Sequence, residues 1–284
     1  DLHSFPTRRS SDLPGSTRLV PLIFTRCIAT RRRGGATVLR YLLVDFKVMM
    51  RIPIAVFFSL AFPLLMMVVI MVSYGNIDIG GGLHLIDKYL LVALGIGVLP
   101  LTLISFPIWI ANRIEDGSLK RLTFLGVRAS YMIASDIIVH IAMGILTFLL
   151  CFICALLFFG LHIPSMTAFF SFLLHYLMIL ITYLLIGAVL ALCFPSQQVL
   201  MPLGLTIMFS LFLFCGVFGP FADLPETVQL IGSYIPMKYG MNDLFNVWQG
   251  SVRFDADAFR ICMAHIGVSL LFLFGLWRFR RHKL

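Results

Sequence analysis

Charge is what this chain has least of: Asp, Glu, Lys and Arg together make up 12% of its 284 residues, while 60% are hydrophobic. An ordinary soluble domain is about half apolar and about a quarter charged, so this excess is more than one soluble core can bury. The marks of several chemistries are missing as well. A phosphate-binding loop ends in Gly-Lys, and no lysine here (Lys47, Lys88, Lys120, Lys238, Lys283) follows a glycine. If ATP drives this protein, another chain binds it. There is no HExxH and no GxSxG, which argues against zinc peptidase and serine hydrolase chemistry. Of six cysteines, five (Cys151, Cys154, Cys193, Cys215, Cys262) lie in apolar stretches, where disulfide exchange is not expected. Cys151 and Cys154 spell CxxC without a second ligand pair, so no metal site is expected there.

What the chain does have is length without charge. A helix needs about 20 apolar residues to cross a hydrocarbon core about 30 Å thick, and the stretches 53–74 and 89–112 qualify. From Ile137 to Ala222 no Asp, Glu, Lys or Arg occurs at all. As one helix that run would be about four bilayer cores long, so the chain must turn back within it. Gly160-Leu-His-Ile-Pro164 and Pro195-Ser-Gln-Gln198 supply the breaks. They leave spans at 137–159, 165–194 and 199–221, and a last span at 261–277 completes six. The expectation is an all-α integral membrane protein of six transmembrane helices.

Two segments are neither span nor simple loop. Residues 38–51 mix Leu39, Leu42, Leu43, Phe46 and Met49 with Arg40, Asp45 and Lys47, the pattern of an amphipathic helix lying in the interface before the first span. Residues 223–259, between the fifth and sixth spans, are too long for a turn. They are expected to form short external helices, entering the outer leaflet only where protein shields their backbone. The opening residues are of another kind: 1–13 resemble the translation of a short-read sequencing adapter and are read as an artefact. Residues 14–37 are expected to form a cytoplasmic N-terminal segment, and 38–284 a single six-helix transmembrane domain.

The formal net charge is +9, but the basic residues come in short clusters between apolar runs, which argues for a lipid bilayer and against nucleic acid as the partner. Arg18, Arg26, Arg31, Arg32, Arg33, Arg40, Lys47 and Arg51 precede the first span. Arg113, Lys120, Arg121 and Arg128 follow the second, and Arg278, Arg280, Arg281 and Lys283 follow the last. Since cytoplasmic loops retain lysine and arginine, both termini are expected in the cytoplasm of a multi-pass cell (inner or plasma) membrane protein.

Among polar residues in the spans, Asp136 and His140 stand four apart on one helical face, a spacing that fits ion coupling as well as an interfacial aspartate beside a hydrogen-bonded histidine. His175 and His265 read as hydrogen-bonded packing residues. Gly187 and Ala191 form a small-xxx-small pair that lets helices approach closely.

The loop after the second span is the most informative polar segment: Arg113-Ile-Glu115-Asp-Gly117-Ser118-Leu119-Lys-Arg-Leu122-Thr-Phe-Leu125. Leu119, Leu122 and Leu125 at helical spacing present an apolar knob to the cytoplasm.

Here the sequence resembles the permease subunits of type 2 ATP-binding-cassette exporters. Between their second and third spans these carry a glutamate, a spaced glycine, Ser or Thr, then two leucines three apart. Glu115, Gly117, Ser118, Leu119 and Leu122 match, and Ser130 fits a serine that follows. After the fifth span the family has a glycine, a proline, Leu-Pro and a further proline, matched by Gly216, Pro220, Leu224, Pro225 and Pro236, with Tyr239 after them. Arg113 stands where a further glutamate is usual, and Gly126 where proline is usual. The resemblance implies a bacterial-type export permease. It would carry no cofactor itself, because ATP and magnesium belong to a separately encoded ATPase present in two copies. It would pair with a second permease chain, as homodimer or heterodimer, and couple through Glu115, Gly117, Ser118, Leu119 and Leu122. Drugs, lipids, glycans and peptides all fit as substrate. The alternative is an ion-coupled secondary transporter built on Asp136 and His140.

Overall fold

A computed structural model of the chain describes residues 34–51, 56–117, 121, 124 and 129–281. The stretch 1–13, read as an adapter artefact, and most of the segment 14–37 lie outside the described residues. The chain divides into two units, 1–47 and 48–284. The described part of the first is helical, within a helix Gly34–Met49 that answers to the amphipathic segment at 38–51.

Among the described residues the second unit contains six helices long and apolar enough to cross a membrane: Phe57–Tyr74, Leu85–Glu115, Met132–Phe159, Met166–Cys193, Gln197–Phe214 and Ala256–Leu276. We number them spans one to six. The all-α reading holds apart from a small hairpin after span one, where β1 (Asp78–Gly80) pairs antiparallel with β2 (Leu83–His84) through glycines of positive φ at Gly80, Gly81 and Gly82.

Span ends differ from the sequence reading for local reasons. Span two begins at Leu85, because buried Asp87 accepts the His84 N–H at 2.8 Å and so caps the first turn. Span five stops at Phe214, because Gly216 takes φ +75° and the Val217 N–H turns back to Phe212 O at 3.1 Å. Span six starts at Ala256, because Asp255 Oδ1 accepts from the Asp257 and Ala258 N–H groups at 3.1 and 2.9 Å.

Span two is the centre of the bundle. Of its most apolar stretch 78% is buried inside the protein, against 11% for span six, whose exposed leucines and phenylalanines suit a lipid-facing helix. Spans one, three, four and five pack against span two, and span six packs on span four. Halfway along, span two carries a π-helical turn, Leu101–Ser105, in which the Phe106 N–H donates to Leu101 O instead of the residue four back. Pro107, with no N–H to give, follows at once.

The turns after spans one, three and five gather at one end. Asn76 Nδ2 donates to Phe159 O at 2.7 Å, the His162 N–H to Asp87 Oδ1 at 2.8 Å, and Ser171 Oγ to Arg253 O at 2.5 Å. At that end the segment between spans five and six folds as short helices, Phe221–Asp223, Glu226–Gly232 and Pro236–Lys238, the last continuing through a π-helical turn to Leu244–Trp248. Met237, Met241, Leu244, Val247 and Trp248 are buried. Gly95 of span two has no Cβ to collide with Met241, so the short helix seats directly on that span. The helix that carries Met237 through Trp248 is thus covered by the bundle, whereas Phe218, Leu230, Ile231 and Tyr234 of the same segment are exposed.

Candidate functional site

Glu115 is the last residue of span two and is exposed. The helix ends there because the next N–H groups fold back, Asp116 N to Asn112 O at 2.9 Å and Gly117 N to Ile114 O at 3.2 Å, while Gly117 takes φ +64°. Nothing lies within 4 Å of where its Cβ would be, so glycine is required here by backbone conformation and not by space. The Arg121 N–H donates to Gly117 O at 3.0 Å, the spacing of a helical turn. Ser118, Leu119 and Leu122, expected to form the coupling knob, lie outside the described residues. Phe124, two residues beyond Leu122, is described and is 91% exposed. The sequence reading passed over it; the available signal was an aromatic ring inside a polar loop. Glu115 also lines an open cavity of about 590 Å³ with Ser196, Gln197, Gln198, Met201 and Pro202, so the turn between spans four and five shares this end of the molecule.

Asp136 and His140 sit on one face of span three, as their spacing requires, but their side chains are engaged elsewhere. Asp136 Oδ1 is 3.1 Å from Arg113 Nη2 and accepts from Trp109 Nε1 at 3.0 Å. His140 Nδ1 lies 2.8 Å from the Asp136 backbone carbonyl, and its ring meets Phe106 edge-on with centroids 4.8 Å apart. Arg113, the departure from the family pattern, thus supplies the partner of Asp136. His175 and His265 are hydrogen-bonded as expected. His175 Nδ1 is 2.7 Å from Ser171 O and its Nε2 3.2 Å from Asp255 O, while His265 Nδ1 is 2.9 Å from Ile261 O.

At the opposite end the motif residues shape the backbone. Gly216 lies so close to Gly219 O and Phe221 that a Cβ would crowd both. Pro220 and Pro225 precede the helices Phe221–Asp223 and Glu226–Gly232, and Leu224 joins them. Pro236 opens the next helix, where its missing N–H costs nothing. Tyr239 Oη donates to Ser233 O at 2.9 Å, and Asn242 Nδ2 donates to Cys215 O at 2.9 Å. Lys238 Nζ pairs with Asp243, 5.1 Å from the Phe221 ring centroid and 4.5 Å from that of Tyr239. Burial pushes the Asp243 carboxyl above the usual carboxylate range, with Asp255 and Asp257 adding to the rise and Lys238 opposing it.

Among the described residues no group of three or more His, Cys, Asp or Glu could hold a metal ion. What the geometry offers is a loop root and a buried ion pair at one end, and a braced set of short helices at the other. No curated protein and no solved structure matches the chain. Residues 40–247 match the family model of the ABC-2 type transporter, a span that takes in spans one to five, the loop root, the Arg113–Asp136 pair and the short helices. The chain belongs to the ABC-2 type transporter family, as a multi-pass, non-catalytic membrane subunit.

Proposed function

We propose that this subunit forms the path of an ATP-driven exporter. It works with two copies of a separately encoded ATPase and with a second permease chain, identical or different, and carries a drug, lipid, glycan or peptide out of the cytoplasm. Both termini and the loop after span two lie in the cytoplasm of the cell membrane. The loop is the contact for the ATPase, through Glu115, Gly117, Ser118, Leu119 and Leu122. The observation that carries this reading is Phe124: a phenylalanine ring 91% exposed, on a loop that also bears Leu119 and Leu122, presents apolar surface that the described residues leave uncovered. Support comes also from the arginines beside and within the loop, since cytoplasmic loops retain basic residues.

The test is Leu119→Asp, Leu122→Asp and Phe124→Asp, each against Lys120→Ala, with co-purification of the ATPase subunit from membranes as the readout. A charge driven into an apolar contact costs several kcal/mol if unpaired, about 2 being enough to weaken docking tenfold or more. The three aspartate variants are expected to insert normally and lose the ATPase, and Lys120→Ala to keep it. Full retention by all three overturns the docking loop.

A further inference from the structure

The loop after span two leaves one helix at Glu115 and enters another at Ala129, and the two helices that frame it are joined just behind it. Phe106, Trp109 and Arg113 fall on one stripe of span two, at intervals of three and four residues. Asp136 and His140 fall four apart on span three. The stripes meet as two rungs. In the first, Asp136 Oδ1 takes both Arg113 Nη2 at 3.1 Å and Trp109 Nε1 at 3.0 Å, and the guanidinium lies 5.1 Å from the Trp109 ring centroid. In the second, the His140 ring packs on Phe106 while its Nδ1 is held by the Asp136 carbonyl.

Burial decides what this joint does. The Asp136 side chain is 1% exposed and that of Arg113 15%. An exposed ion pair opens and closes at little cost, whereas a buried one that opens strands a charge away from water. Trp109 fixes the carboxylate oxygen from a second direction and stacks with the guanidinium, so neither partner can swing away alone.

We infer that Asp136 is a positioning residue: through Arg113 and Trp109 it fastens the Glu115 end of span two to span three, so that the two helices framing the loop move as one lever. This rests on the reading that the loop receives the ATPase, because a lever needs a driver. Span two is also the most buried helix and touches spans one, three, four and five, so a tilt imposed at this end reaches the whole bundle.

The experiment uses the full chain in lipid nanodiscs with nitroxide labels at Asp116 and Ala134, both exposed and on either side of the joint. Pulsed electron resonance measures their separation in the chain alone, and in the complex without nucleotide and trapped with ATP and vanadate. The wild-type separation is expected to be narrow and unmoved by nucleotide. Asp136→Asn broadens it and makes it nucleotide-dependent. Arg113→Ala with Asp136→Ala does the same without stranding a buried charge, which guards against a variant that fails to fold. The inference is overturned if the wild-type separation itself shifts on trapping, or if the double alanine variant stays as narrow as wild type. Should the ATPase fail to bind even the wild-type chain, the docking reading falls, and broadening of the double alanine variant in the chain alone still decides whether the joint exists.

Discussion

Gly187 of span four lies against the backbone carbonyl of Thr102 in span two so closely that a Cβ on it would overlap that oxygen and crowd Phe106 and Pro107. The π-helical turn makes the contact possible. With the Phe106 N–H drawn to Leu101 O and no N–H on Pro107, the Thr102 carbonyl faces a neighbouring helix, and only a glycine leaves it room. Gly204 of span five meets Leu103 O in the same manner. Gly187→Ala should therefore destabilise the subunit by about 1–3 kcal/mol, the usual cost of overpacking. In Gly267→Ala the new methyl has nothing within 4 Å, and helix propensity alone gives a gain of about 0.5–1 kcal/mol. Thermal unfolding midpoints in one detergent compare the two; equal midpoints would show that the helices yield at the π-turn.

The six spans were legible because the bilayer constraint is one-dimensional: an apolar run of sufficient length needs no knowledge of its neighbours. What failed at the span ends was sequence polarity taken at face value. Asp255 and Asp257 read as loop, yet a carboxylate is a natural helix start, and Asp255 caps span six. The π-turn was not legible, because Pro107 permits it but Gly187 and Gly204, far along the chain, make room for it. At the candidate site, the spacing of Asp136 and His140 gave their shared face correctly and their role incompletely. The partner of Asp136 comes from the preceding helix, across a loop whose length says nothing about register. Close approach through Gly187 was visible as a small-residue pair; which backbone it meets was not.

Asp243 gives the outer segment a pH dependence of definite sign. Burial is the leading cause of its raised pKa and exceeds the opposing pull of Lys238. The folded protein therefore holds that proton more tightly than the unfolded chain does. The stability this contributes is complete below the ordinary carboxylate value of 3.8 and is lost as pH rises through the raised one. An asparagine side chain at this position does not titrate, so the stability of wild type relative to Asp243→Asn should fall as pH rises from 3.8 through the raised value and then level. Melting midpoints of both proteins over that range test it, since groups common to the two cancel in the difference. A wild type that gains on the variant as pH rises would mean that the Lys238 pair outweighs burial.

The sidedness proposed for the subunit can be tested without knowing its substrate. The structure binds the turn after span one to the end of span three through Asn76 with Phe159, the turn after span three to the start of span two through His162 with Asp87, and the segment after span five to the start of span four through Arg253 with Ser171, while Glu115 and Ser196 share a cavity at the other end. Arginine and lysine then choose which end faces the cytoplasm. Arg113 ends span two beside the loop and Lys120, Arg121 and Arg128 lie in it with Gly117, whereas Lys238, Arg253 and Arg260 are outnumbered by Asp223, Glu226, Asp243, Asp255 and Asp257 on the other side. Single cysteines placed in a cysteine-free background at Gly81 and Asp255 should react with an impermeant maleimide in intact cells. One at Gly117 should react only after the membrane is opened. Because the connections lock the three turns together, Gly81 and Asp255 must give the same answer, and a split between them would contradict the fold itself. Labelling at Gly117 in intact cells with none at Asp255 would instead keep the fold and invert it, placing the loop, and with it the ATPase contact, on the wrong side of the membrane.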